Sequence, residues 1–159
     1  ARTKYLQAIK DAPDWIDEHI GVMVFCGPDS PSFDAIQHCA TDFGVHFKYI
    51  DWQIGTAHAN PSRFMNSGLH SVTFDIHGVI NDRVGEIEMF GTHIPEFNKM
   101  KIRAAITGIK SRDELLTALK VGTSFVSGPF ITTALHEPLK PRQISPADLP
   151  LSDLELEAA

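Results

Sequence analysis

The chain has 159 residues, of which 43% are hydrophobic and 21% charged, with a formal net charge of −6; this suits one globular domain long enough to bury a core. No uncharged apolar run is long enough to span a bilayer. The basic residues are scattered and leave no footprint for a phosphate backbone, so neither a membrane segment nor nucleic-acid binding is expected.

Tyr5, Leu6 and Ile9, then Trp15, Ile16 and Ile20, stand among charges on either side of Pro13, which predicts two short helical pieces. Gly21-Val22-Met23-Val24-Phe25-Cys26 is a continuous apolar run closed by Gly27-Pro28, the pattern of a strand covered on both faces. Ser32 is placed to cap a helix from Phe33, with Ile36, Ala40 and Phe43 on one face and Gly44 at its C-terminal stop. A second strand is expected over residues 45–50.

Asn60-Pro61 opens a further helix, because proline's missing donor is harmless in the first turn, and Gly68 ends it before a strand over 71–76. Between Gly78 and Gly91, Val84, Ile87 and Phe90 suit a helical face whereas the glycines suit a loop; the expectation is a broken helix. A short helix over 95–99 leads to a strand over 101–106. Ser111 then caps a helix over 112–120 with Leu115, Leu116 and Leu119 inward, and Gly122 stops it before a strand over 123–126. From Leu135 onward, repeated prolines and the acidic stretch over 151–157 read as a tail lying over the domain or disordered. The expected division is a βα-repeat domain over 1–134 and a Pro-rich, acidic C-terminal tail over 135–159.

Cys26 and Cys39 lack zinc-type spacing, and no secretory leader lies near them. Both are expected to be reduced, buried thiols in a cytoplasmic protein. The sequence starts at Ala1 without a methionine, as a fragment of something longer would.

Strand alternating with helix makes the fold class α/β with parallel βα repeats, since parallel neighbours need a crossover that is usually helical. An open doubly wound sheet and a segment of a barrel both satisfy that periodicity.

A local trail of residues favours the barrel. It runs Gly44-Val45-His46-Phe47-Lys48-Tyr49-Ile50-Asp51-Trp52, Gly55-Thr56, Val72-Thr73-Phe74-Asp75, Thr107-Gly108-Ile109-Lys110-Ser111-Arg112-Asp113-Glu114-Leu115, Gly122, and Phe125-Val126-Ser127-Gly128. In order and spacing, from about Val22 to Ile131, this resembles the C-terminal half of EAL domains, the TIM-barrel-related family that hydrolyses cyclic di-GMP. The resemblance implies a partial or modified EAL-like barrel, with the Glu-Ala-Leu signature lying before Ala1.

The same resemblance implies a loss of chemistry. The family's paired metal-binding aspartates fall on Ile50 and Asp51, its catalytic lysine on Thr73, its two later glutamates on Thr107 and Lys110, and its late glutamine on Ser127. Its earlier metal-binding glutamate would lie in the strand over 22–26, which has no acid. Hydrolysis with two divalent ions needs several oxygen ligands to hold them and to activate water. One remaining aspartate does not supply them, so no catalytic residue and no cyclic di-GMP hydrolysis are expected.

Barrel enzymes place their chemistry at the C-terminal ends of the strands, so Asp51, Asp75, His77, Thr107, Lys110 and Ser127 are expected to share one rim as ligand-binding candidates. Asp75 and His77, two apart, would lie on one side of an extended strand and with Asp51 and His58 could hold a metal. The plainer reading is that strand-end polar residues cap helices and meet solvent, and neither a metal nor another cofactor is expected. Lys110-Ser111 at a helix N-terminus could cradle a phosphate or be a plain serine cap.

Two functions remain open at this level. The first is a catalytically inactive EAL-like regulatory or scaffolding domain in bacterial signalling, acting through a protein partner, a homo-oligomer or weak cyclic-dinucleotide binding. The alternative is a metal- or small-ligand-dependent enzyme of another βα family with its site at the rim. A partial barrel would also leave strand edges for a missing N-terminal half or another subunit to complete.

Overall fold

A computed structural model describes residues 2–11, 13, 21–25 and 32–132. The second helical piece expected before Gly21, Cys26 and the tail over 135–159 lie outside the described residues. In chain order the elements are α1 (Arg2–Lys10), β1 (Gly21–Phe25), α2 (Phe33–Gly44), β2 (Tyr49–Ile54), a 3-10 turn (Pro61–Phe64), β3 (Ser71–Asp75), α3 (Arg83–Gly91), α4 (Ile94–Lys99), β4 (Arg103–Thr107), α5 (Arg112–Lys120) and β5 (Phe125–Ser127). No described helix is long and apolar enough to cross a membrane.

The five strands form one parallel sheet in the order β1-β2-β3-β4-β5. A doubly wound sheet reverses its strand order at a switch point. This sheet runs in one direction, as a stretch of (βα) barrel wall does, so the fold class expected from the sequence holds.

Alternation along the strands sorts the two faces. Ile50, Trp52, Val72, Phe74, Ala104 and Ile106, the even-numbered residues, are buried with Ile36, Ile87, Phe90, Phe97 and Leu115 from the helices in one core. The ring pairs Phe74–Phe90 and Phe64–Phe97, 5.3 and 5.5 Å between centroids, add about 1 kcal/mol each beyond the area they bury. The odd-numbered residues face the other way. There Met23, Phe25, Tyr49 and Phe125 are exposed, while Gln53, Thr73 and Ala105 are buried in the hollow between them.

β1 therefore departs from the expectation of a strand covered on both faces. Among the described residues it has a single strand partner and nothing covers its odd side chains, with Phe25 73% exposed. β2 begins at Tyr49 rather than 45 because both His46 and Phe47 donate their backbone N–H to the Phe43 carbonyl, closing the helix in a turn, and Phe47 drops into the core. Gly44 stays inside α2, which is capped at its start by the Ser32 hydroxyl accepting from the Ala35 N–H.

The helix expected at Asn60-Pro61 is a four-residue 3-10 turn, started by Asn60 accepting from the Ser62 N–H. The ambiguous stretch before Gly91 resolves into a loop and an unbroken α3, because the Asp82 side chain accepts from the Gly85 N–H and fixes its first turn. β4 starts only at Arg103, since Lys101 takes a left-handed φ of 62° that no strand accommodates. In α5, Leu115 is buried as expected, but Leu116 is 52% and Leu119 38% exposed. Ala118, three residues after Leu115, takes the inward place. Gly122 ends α5 at φ 84°, as its position implied.

Candidate functional site

The uncovered face holds a cavity of about 440 Å³ toward the C-terminal ends of the strands. Asp51, Gln53, Asp75, His77, Thr107 and Ser127 line it, five of them side chains of the odd-numbered strand face and the sixth, His77, its continuation past β3. The sequence-selected residues Asp51, Asp75, His77, Thr107 and Ser127 thus come together. Lys110 does not join them, and neither does His58.

Asp51 departs from the expected strand-end position. It is the third residue of β2, and its Oδ1 accepts from the hydroxyls of Ser71, 2.5 Å away, and Thr73, 2.9 Å away. Its Oδ2 is buried with no hydrogen-bond partner among the described residues. The side chain is part of the cavity floor and not of its rim.

Asp75 closes β3, and the chain turns at once. Its Oδ1 accepts from the backbone N–H of His77 at 3.0 Å and lies 2.6 Å from the His77 ring Nδ1. Gln53 Nε2 donates to Oδ2 at 2.6 Å. The two residues meet through this local turn, not through a shared strand face. Burial pushes the Asp75 carboxyl up, but the His77 N–H and ring together with Gln53 outweigh it and hold the carboxyl below its usual range. Beside them, the Thr107 and Ser127 hydroxyls bond each other at 2.8 Å.

Lys110 sits before α5, where a phosphate cradle was one reading. Its backbone N–H, the donor such a cradle would use, is taken by Glu114 Oε2 at 2.7 Å, and the Ser111 hydroxyl accepts from the Glu114 N–H at 3.3 Å. The site for an anion is filled by the helix's own carboxylate, so the serine-cap reading is the one observed.

Three residues that hold this rim were not singled out from sequence. Gln53 orients Asp75. Arg83 and Glu114 form a largely buried ion pair that fixes the turns after β3 and β4; the Ser111-x-x-Glu114 spacing is a capping-box signature that could have pointed to Glu114. Gly128 lets the end of β5 approach the turn after β4. A Cβ there would lie 2.2 Å from the Ile109 nitrogen, and the Ser127 carbonyl accepts from the N–H groups of both Gly108 and Ile109.

The donor set answers the metal question raised by the sequence. Calcium takes six to eight oxygen ligands, as a rule including several carboxylates. The cavity offers Asp51, with one free oxygen, and Asp75, whose oxygens are committed to His77 and Gln53. No group of three or more His, Cys, Asp or Glu able to hold a metal ion occurs among the described residues. These residues do not fit a divalent-metal centre. Cys39, expected to be buried, is half-buried on α2, away from the cavity.

No protein-family model matches the chain, and no curated protein matches it. Among solved structures it is similar to the Bacillus subtilis YkuI protein, with an EAL domain, in complex with substrate c-di-GMP and calcium. The TM-score is 0.59 at 12% identity, over 87% of this chain and 35% of that one. The chain thus spans about a third of that protein's length, and the likeness is one of fold: five parallel strands alternating with helices, EAL-like and TIM-barrel-related.

Proposed function

We propose that this chain is a catalytically inactive EAL-like regulatory or scaffolding domain of cyclic di-GMP-related signalling in the cytoplasm. It acts through a protein partner or a further copy of itself, with at most weak cyclic-dinucleotide binding. The observation that carries this reading is the rim cavity. Among the described residues its lining holds two carboxylates and one histidine, and no lysine or arginine.

A cyclic dinucleotide carries two phosphodiester charges. With neither cations at the cavity nor a metal cluster among the described residues to meet them, Asp51 and Asp75 repel the ligand rather than hold it. Hydrolysis is further out of reach, because nothing at the cavity replaces the oxygen ligands that would activate a water. The exposed Met23, Phe25 and Phe125 supply apolar area for a partner, and the outer edges of β1 and β5, unpaired among the described residues, supply backbone groups.

Calorimetric titration with cyclic di-GMP, with and without magnesium or calcium, tests the reading. Weak or absent binding that metal does not strengthen is expected. Tight metal-dependent binding would overturn it.

A further inference from the structure

The open face carries a second cavity at its opposite end, where the strands begin. Tyr49, His70, Ser71, Lys101, Arg103 and Phe125 enclose about 430 Å³, a size that takes small molecules. Its chemistry is the reverse of the rim cavity's. Lys101 and Arg103 are cations, and no carboxylate lines it among the described residues.

The rings are exposed yet held in place. Tyr49 and Phe125 are each 53% exposed. Tyr49 meets His70 edge-on with centroids 5.2 Å apart, and the Arg103 guanidinium lies 5.6 Å from the Phe125 centroid. His70 Nδ1 accepts the Ile50 N–H at 3.3 Å, which leaves Nε2–H as the donor of the neutral ring. Two cations, a ring donor and two half-exposed aromatic faces therefore converge on one space. A bare phosphate would use the first three and leave the rings in water. A ring-bearing phosphate uses all of them, because aromatic faces and guanidinium planes both stack on a ligand ring.

We propose that this cavity binds a small aromatic phosphate, its phosphate between Lys101 and Arg103 and its ring against Tyr49 or Phe125. The site shares Ser71 and Phe125 with the rim cavity on which the proposed function rests but none of its charged residues, so each can fail without the other.

The test is calorimetric titration of the whole chain with phenyl phosphate, inorganic phosphate and a hexaglutamate peptide at low salt. Phenyl phosphate is expected to bind saturably, and inorganic phosphate about tenfold more weakly. Lys101→Asn, which keeps a residue tolerant of the left-handed backbone, and Arg103→Gln are each expected to weaken phenyl phosphate about tenfold. Leu116→Ala, on the exposed face of α5 and at neither cavity, should leave it unchanged, and circular dichroism should show all three variants folded. No saturable binding, binding indifferent to Lys101→Asn and Arg103→Gln in folded protein, or inorganic phosphate bound equally well would overturn the proposal. So would hexaglutamate bound more tightly than phenyl phosphate, which would make the groove a protein-docking site instead.

Discussion

Arg83 and Glu114 form a buried ion pair that ties the turn after β3 to the turn after β4. Arg83 Nε donates to Glu114 Oε1 at 2.7 Å and Nη2 to Oε2 at 3.1 Å, with the side chains 14% and 7% exposed. The same guanidinium donates to the carbonyls of Ile76, Val79 and Gly108. One side chain thereby satisfies carbonyls on both sides of His77 and another on the glycine beneath the His77 ring. This clamp holds the turn that carries His77 to the rim cavity.

Removing either partner leaves a buried charge unpaired, which costs about 3–5 kcal/mol. Arg83→Met is expected to fall in that range by urea unfolding. The double variant Arg83→Met with Glu114→Leu should lose clearly less than the two single losses added, because no orphaned charge remains. Additive losses would show that the pair is not coupled.

Glu114 also sets a pH dependence. Burial raises its carboxyl, but the Arg83 hydrogen bond, the Lys110 N–H and the charges of Arg83 and Lys110 outweigh that and hold it below its usual range. As pH falls, the unfolded chain takes up this proton first, so the stability from Glu114 is full above the unfolded value and is lost as pH drops through the folded one. Asp75 shifts in the same direction on a more exposed side chain and contributes less. Unfolding midpoints measured from about pH 6 to about pH 3 should fall for the native chain and fall less steeply for Glu114→Gln.

Gly128→Ala would drive a methyl group to within 2.3 Å of both the nitrogen and the oxygen of Ile109. Backbone cannot yield there without breaking the bonds from Gly108 and Ile109 to the Ser127 carbonyl. A loss of about 2 kcal/mol or more is expected in thermal unfolding. Gly78→Ala, with nothing within 4 Å of the added carbon, is the matched control and should be near neutral.

The faces of α5 give a packing test. Leu115→Ala removes a side chain that is 4% exposed and should cost about 2–4 kcal/mol. Leu116→Ala, at a position 52% exposed, should stay within about 0.5 kcal/mol. Equal losses would mean that the helix is turned differently.

What was legible in the sequence was local. The Ser32 and Ser111 caps and the Gly122 stop could be read because each acts on neighbours three residues or fewer away. Strand edges were less legible. Phe47 and Ile102 are apolar and buried, so they look like strand, yet they belong to turns that return the chain from a helix to the sheet. The Asp75–His77 contact was visible in its spacing, although the geometry that makes it is a turn. Arg83 was invisible for the opposite reason: its partners Gly108 and Glu114 stand 25 and 31 residues away, and only the fold brings them together. The exposed Met23 and Phe25 were not foreseen because a parallel sheet is normally packed on both faces, whereas no described element covers the odd-numbered face of this one.

The most direct test of the central claim is product formation from cyclic di-GMP, followed chromatographically with the whole chain in excess magnesium, manganese or calcium. The account predicts no turnover above the protein-free control in any of them. Metal-dependent hydrolysis abolished by Asp51→Asn would contradict it.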